Sequence, residues 1–290
     1  MINKISLGLA QSKKSYGLNK NNKIQEFLKE LNNQDITNLD TSLSYNGSDN
    51  YLKVINLNEY NLSIKLPKIS NRKNLKKKII HFLEEIFIKY NIKKFDTLLL
   101  HDPLLPLEKD WKIVEKILID YKLKKKIKNI GVSVYSKYEL ENILKVFNPD
   151  VVQFPLNIFN QSFDEAYLKK LKKLKIKLHA RSIFLQGLLT LQKSRIPTFF
   201  DIWKDHLNRY HKIIKDNKFD LIDFNLNFIL NKKILDKIVI GFSDCKQFLQ
   251  VIKKIKRFKT NKRHMKFYKE LAINDKLIND PRFWPINKDI

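Results

Sequence analysis

A TIM-type (β/α)8 barrel forming one domain is the fold class this 290-residue sequence predicts, on three observations. Apolar runs of strand length alternate about eight times with longer segments of helical period, the rhythm of repeated βα units around a parallel sheet. The length suits one such barrel, which takes roughly 250 residues or more. Four residues able to handle protons or charge, Asp40, Tyr45, Lys65 and His101, each stand at or just past the C-terminal end of a strand-like run. A parallel barrel gathers its reactive groups on that rim, because its helices stay outside.

The strand candidates are residues 4–9, 36–41, 61–65, 95–101, 127–133, 149–154, 175–181 and 236–241. Apolar residues at helical spacing mark 75–90, 107–123, 138–147, 164–174 and 247–258. Pro103, Pro106, Pro155 and Pro197 fall after strands or before helices, where a fixed φ and a missing N–H do least harm. Two regions depart from the repeat. Between the seventh and eighth strands lies an insertion long enough for two helices, near 199–215 and 219–230. Past the barrel core, residues 1–258, runs a C-terminal extension, 259–290, with a helix expected over His264 to Ile273. Its tail carries Phe283 and Trp284 together, which predicts that it docks on the barrel.

Composition narrows the function classes. No apolar stretch approaches the roughly 18 residues needed to cross a bilayer. The N-terminus enters strand-like sequence almost at once and shows no export signal. One cysteine, Cys245, excludes an internal disulfide and any multi-cysteine zinc site, and no metal is expected. These features predict a cytoplasmic protein. The net charge of +27 raises the question of nucleic acid, but seven of the 57 cations are Arg. The lysine runs lie on or beside helical segments and read as solvated faces. A nucleic-acid partner is therefore not expected.

The four rim residues have a joint chemistry. A tyrosine is a poor acid at neutral pH, since its ordinary pKa is about 10. An ammonium beside it stabilises the phenolate, so Lys65 equips Tyr45 to give its proton to an oxygen gaining negative charge. A carboxylate, Asp40, keeps Lys65 charged inside the rim. Neutral His101 can hydrogen-bond and orient the same oxygen. Taken singly, each has an ordinary reading as a cap, a core residue or a solvated side chain; the coincidence at successive strand ends favours a site.

The chain resembles the aldo-keto reductase family over nearly its whole length. Leu7-Gly8-Leu9-Ala10-Gln11 with Tyr16-Gly17 is similar to the family's opening strand and loop. Asp40-Thr41-Ser42-Leu43-Ser44-Tyr45 resembles the segment carrying the catalytic Asp and Tyr. Ile64-Lys65-Leu66-Pro67 and Leu98-Leu99-Leu100-His101 resemble the strands of the catalytic Lys and His. Ile130-Gly131-Val132-Ser133 and Val151-Val152-Gln153-Phe154 follow in the expected order. Arg181 to Leu189 looks like a branch found beside sugar and polysaccharide genes.

This resemblance implies an oxidoreductase that exchanges hydride between NADP(H) or NAD(H) and an aldehyde, ketone or alcohol, with Tyr45 as proton donor. It also implies a cofactor bound across the rim without a Rossmann domain, in keeping with the lack of a Gly-x-Gly-x-x-Gly run. By matched position, Ser133 and Gln153 would hold the nicotinamide carboxamide, and Arg181 would take the stacking position, where its planar guanidinium could stack or hold an anionic substrate group. Ser182, Leu185 and Gly187, with Gly241, Ser243, Asp244 and Gln247, would line the phosphates. The substrate is expected to be a small carbonyl compound, sugars included, with Phe159, Phe184, Trp203 and Trp284 as candidates for its apolar wall.

The chain departs from the family pattern at several points. Val134 replaces an Asn, Arg181 a usual aromatic, and Gly241 and Gln247 the cations many members set against a ribose phosphate. The choice between NADP and NAD is thus open. The alternative function is a reductase-like barrel that binds cofactor as a regulatory or scaffold subunit.

Overall fold

The computed structural model describes residues 1–10, 28–42, 52, 55–242 and 244–285. Its centre is a closed barrel of eight parallel strands in sequential order, β1 Ile5–Gly8, β2 Asn38–Ser42, β3 Asn61–Leu66, β4 Phe95–Leu100, β5 Ile127–Ser133, β6 Val151–Pro155, β7 Lys177–Arg181 and β8 Lys237–Gly241. β1 closes on β8 with Gly8 opposite Gly241. The expected (β/α)8 fold is therefore present, and each strand candidate overlaps an observed strand. Strands covered on both faces read as near-continuous apolar runs, which is why Leu98-Leu99-Leu100 stood out.

Around the barrel lie helices α1 Leu75–Lys89, α2 Trp111–Leu123, α3 Lys137–Ile143 and α4 Glu165–Lys173. The β7–β8 insertion supplies α5 Lys204–Asp216 and α6 Leu221–Leu230, and α7 Cys245–Lys256 follows β8. Local chemistry sets the helix starts. Ser136 and Glu139 form a reciprocal capping box at α3, while Asp164, Asp220 and Asp244 cap α4, α6 and α7 by accepting backbone N–H groups. Register tightens at Gly131 of β5, where an added Cβ would sit 2.3 Å from the Val151 carbonyl oxygen on β6. The two strands can approach that closely only because the residue is glycine.

Two helix expectations need correction. The stretch 199–215 begins as a 3-10 turn, Thr198–Trp203, before α5. The expected helix from His264 to Ile273 shrinks to one turn, α8 Lys262–Met265. The following residues are held by the barrel instead: Tyr268 Oη donates to the Phe224 carbonyl at 3.1 Å and accepts from Asn227 at 2.7 Å, and Ile273 N donates to Phe159 O. Tertiary bonds have overridden local helical preference there.

The tail docks as expected. After a last turn, α9 Lys276–Asn279, Trp284 is fully buried edge-on to Phe200 at 4.8 Å, and its indole N–H donates to Leu277 O at 3.1 Å. This seats Pro281 and Arg282 over the barrel mouth. Among the described residues no helix is long and apolar enough to cross a membrane.

Candidate active site

The C-terminal ends of the strands open into a cavity of about 300 Å³. Asp40 of β2, Lys65 of β3, His101 just past β4, Ser133 of β5, Gln153 of β6 and Arg181 of β7 all line it. Parallel register explains the convergence, since Gly8 pairs with Asp40, Ser42 with Lys65, Ser133 with Gln153 and Pro155 with Arg181. Three of the four rim residues read from sequence therefore share one cavity. Tyr45 and Ser243 lie outside the described residues.

The polar centre is buried and interlocked. Lys65 Nζ donates to Asp40 Oδ1, and both side chains are about 5% exposed or less. The other carboxylate oxygen, Oδ2, accepts from Gln153 Nε2 at 2.7 Å. Gln153 Oε1 in turn faces Ser133 Oγ at 3.5 Å. Gln153 thus fixes the Asp40 carboxylate, which sequence alone did not suggest. A buried ion pair persists when its remaining lone pairs are satisfied, and this one meets that condition on the acid side.

His101 is held neutral. Burial, then the positive charges of Lys65 and Arg181, push its pKa down from the ordinary 6.5 to about 4. The neutral ring keeps one nitrogen as a donor and one as an acceptor. A stability consequence follows. Between pH 6.5 and about 4 the unfolded chain takes up a proton at this position that the folded chain refuses, so folding stability declines as pH falls through that window. The neutral ring contributes on the order of 3 kcal/mol above pH 6.5. Denaturant titrations from pH 7 to pH 4 are expected to show a smaller loss for His101→Phe than for the unaltered protein.

After β7 the chain turns sharply. Ser182, Leu185, Gln186 and Gly187 all have positive φ, at 57°, 46°, 51° and 99°. Each non-glycine residue there costs about 1–2 kcal/mol. The turn wraps Ser182, Ile183, Phe184, Gln186 and Gly187 around one side of the cavity, which Val239, Ile240 and Gly241 of the neighbouring β8 also line. Backbone strain held in place at a cavity wall is a mark of a functional turn.

Several expected positions fall elsewhere. The Leu185 side chain is buried in the core. Asp244 is the N-cap of α7, accepting from the backbone N–H of Gln247 at 2.7 Å, and neither residue lines the cavity. Of the apolar-wall candidates, Phe184 lines the cavity. Phe159 instead packs edge-on against Tyr210 and His206, Trp203 donates to Asp275 Oδ2 at 2.8 Å, and Trp284 anchors the tail. Large aromatics in a barrel this size are claimed first by its core.

Among the cavity residues missed from sequence are Tyr135 and Arg282. Tyr135 sits two residues past Ser133, and Arg282 reaches in from the tail. The Arg181 guanidinium lies 4.0 Å from the Tyr135 ring centroid and that of Arg282 lies 3.6 Å from it. The Ser136–Glu139 capping signature was a local signal for a fixed Tyr135, because Glu139 accepts from Tyr135 N at 2.6 Å. Nothing local placed Arg282 there.

A parallel barrel with a buried Lys–Asp pair and a neutral His at its C-terminal mouth defines the class of barrel enzymes whose chemistry sits on the strand-end loops. The family model described as "Aldo/keto reductase family" matches residues 4–273, and the chain belongs to that family. Among solved structures, an aldo-keto reductase from Bacillus halodurans in its holo form is similar, with TM-score 0.72 and 14% identity over 94% of this chain and 93% of that one. The glycerol dehydrogenase from Gluconobacter oxydans is similar with TM-score 0.66 and 16% identity, covering 96% and 92%. These likenesses concern the fold. No curated protein sequence matches the chain. Family membership supports an oxidoreductase acting on carbonyl compounds.

Proposed function

We propose that the protein is an NAD(P)(H)-dependent oxidoreductase that reduces an aldehyde or ketone to the alcohol, or runs the reverse, with Tyr45 as the proton donor. The observation carrying this reading is the buried Lys65–Asp40 pair, braced by Gln153, in one cavity with neutral His101. Family membership supports the reading.

The residues present suit a nicotinamide cofactor. Among the described residues, Ser133 Oγ has a partner only at the long distance of 3.5 Å and Gln153 retains one amide hydrogen, so these side chains offer hydrogen-bonding groups suited to a carboxamide. Ser182 and Gly187 after β7, with Gly241 at the end of β8, would face the phosphates. When bound, the reduced cofactor supplies the hydride, which this chain's side chains cannot.

The protein's part is positioning and proton handling. Lys65, kept charged by Asp40, lowers the cost of losing the Tyr45 proton. His101 in its neutral form donates to the carbonyl oxygen and fixes its direction. Gln153 joins the two tasks, holding Asp40 with one amide hydrogen and leaving the other for the carboxamide. The hydride that the cofactor would supply to the carbonyl carbon would be balanced by the Tyr45 proton at the oxygen, and Tyr45 would regain a proton from solvent. The direct test is fluorescence titration with NADPH and NADH, followed by an absorbance screen of aldehydes and keto sugars. Saturable cofactor binding with carbonyl-dependent oxidation is expected; binding without oxidation across the panel would favour the regulatory subunit.

A further inference from the structure

We propose that the substrate is a short carbonyl compound bearing an anionic oxyacid group, a carboxylate or a phosphate, held by Arg181 with help from Arg282. This rests on the reductase reading and narrows it. The charges around the cavity motivate it. Asp40 is consumed by Lys65, and His101 is neutral, so neither offers compensation to a further cation. Arg181 is half-buried and, among the described residues, forms no ion pair. Its guanidinium donates to the Val134 carbonyl at 3.1 Å and to Ser182 Oγ at 3.3 Å, both neutral groups. A guanidinium has five N–H donors, so these bonds leave at least half of its donor capacity unused. An unpaired cation at this depth raises the affinity of the cavity for an anion.

The arginine is also preorganised. Tyr135 offers its ring to Arg181 at 4.0 Å and to Arg282 at 3.6 Å, and a guanidinium stacked on an aromatic keeps its edge free for bidentate hydrogen bonds. Glu139 fixes the platform by accepting from Tyr135 N at 2.6 Å, and its other oxygen lies 3.7 Å from Arg282. Arg282 is largely matched in charge by Asp280, which it grips through Nε at 2.9 Å and Nη2 at 2.6 Å. Arg282 therefore stands at the mouth as a held, partly neutralised guide, while Arg181 carries the net positive charge inside. Planar forks of this kind match carboxylate and phosphate oxygens, and a lysine in the same place would not.

The test compares matched carbonyls in the full chain with its preferred nicotinamide cofactor: 4-oxobutanoate against butanal, and glyceraldehyde 3-phosphate against glyceraldehyde. The charged member of at least one pair is expected to show a kcat/KM higher by about a hundredfold, as a charge-assisted bidentate contact would give. The pair that discriminates identifies the anion. Arg181→Gln is expected to cut that ratio to within several-fold of unity, Arg181→Lys to recover part of it, and Arg282→Gln to reduce it less. Equal use of charged and neutral carbonyls by the unaltered protein would overturn the proposal, as would an Arg181→Gln change that weakens cofactor binding and leaves the ratio intact. If no carbonyl is reduced, the reductase reading fails on its own. Calorimetric titration with succinate and inorganic phosphate then decides the anion site: saturable binding lost in Arg181→Gln supports it, and no saturable binding overturns it.

Discussion

Replacing Lys65 by Met is expected to lower carbonyl reduction by about a thousandfold or more while the barrel still assembles. The size follows from the chemistry assigned to Lys65, since positioned acid–base catalysis contributes on the order of 10²–10⁴ in rate. On the proposed mechanism, the variant would lack the ammonium that stabilises a Tyr45 phenolate, and proton donation would become harder. Lys65 also has a structural partner, which complicates the readout. Its removal leaves the Asp40 carboxylate buried with Gln153 Nε2 as its remaining donor among the described residues, and breaking a buried pair in this way costs roughly 3–5 kcal/mol. The double variant Lys65→Met with Asp40→Asn separates the two effects. It removes both charges, so much of the lost stability is expected to return in denaturant unfolding, while turnover stays at the level of the single variant. Recovery of turnover along with stability would show that Lys65 acts through folding alone.

The fold was legible because its signals are repetitive. Eight alternations of apolar run and helical period survive an error of a few residues at any boundary, and closure of a parallel sheet needs no further information. The centre of the site was legible for a related reason. Asp40, Lys65 and His101 are set by strand register, so a strand-end position in sequence becomes a rim position in space. Departures lie where tertiary contacts decide. The helix expected over 264–273 lost most of its length because Tyr268 and Ile273 bond to the barrel. Asp244 looked like a phosphate-side residue and is the cap of α7, since a short acceptor before a helix satisfies the nearest backbone donors first. Phe159, Trp203 and Trp284 looked like a substrate wall, but the core and the docked tail bury them. Arg282 could not be read at all: its place at the mouth depends on where Trp284 anchors the tail, more than 140 residues beyond Tyr135 in the chain.

The same contrast separates the two parts of the cavity. Asp40, Lys65 and Gln153 are bonded to one another on barrel strands, whereas Tyr135 and Arg282, which flank Arg181 at the end of β7, come from a loop and the tail. A rigid scaffold with adaptable strand-end loops is how this fold supports many substrates with one chemistry.

Tyr45→Phe is the second variant with a large expected effect, because it removes one hydroxyl and leaves the ring. Without that proton the developing alkoxide has no donor of matched acidity, and turnover is expected to fall on the order of a thousandfold or more. Cofactor affinity should change little, since the resemblance assigns cofactor binding to other residues. The decisive measurement is rapid-mixing single turnover with a saturating carbonyl, comparing the unaltered protein with Tyr45→Phe after cofactor binding has been confirmed by fluorescence titration in both. The account predicts rapid loss of reduced-nicotinamide absorbance in the unaltered protein and almost none in Tyr45→Phe at equal cofactor occupancy. Undiminished oxidation in Tyr45→Phe would contradict it.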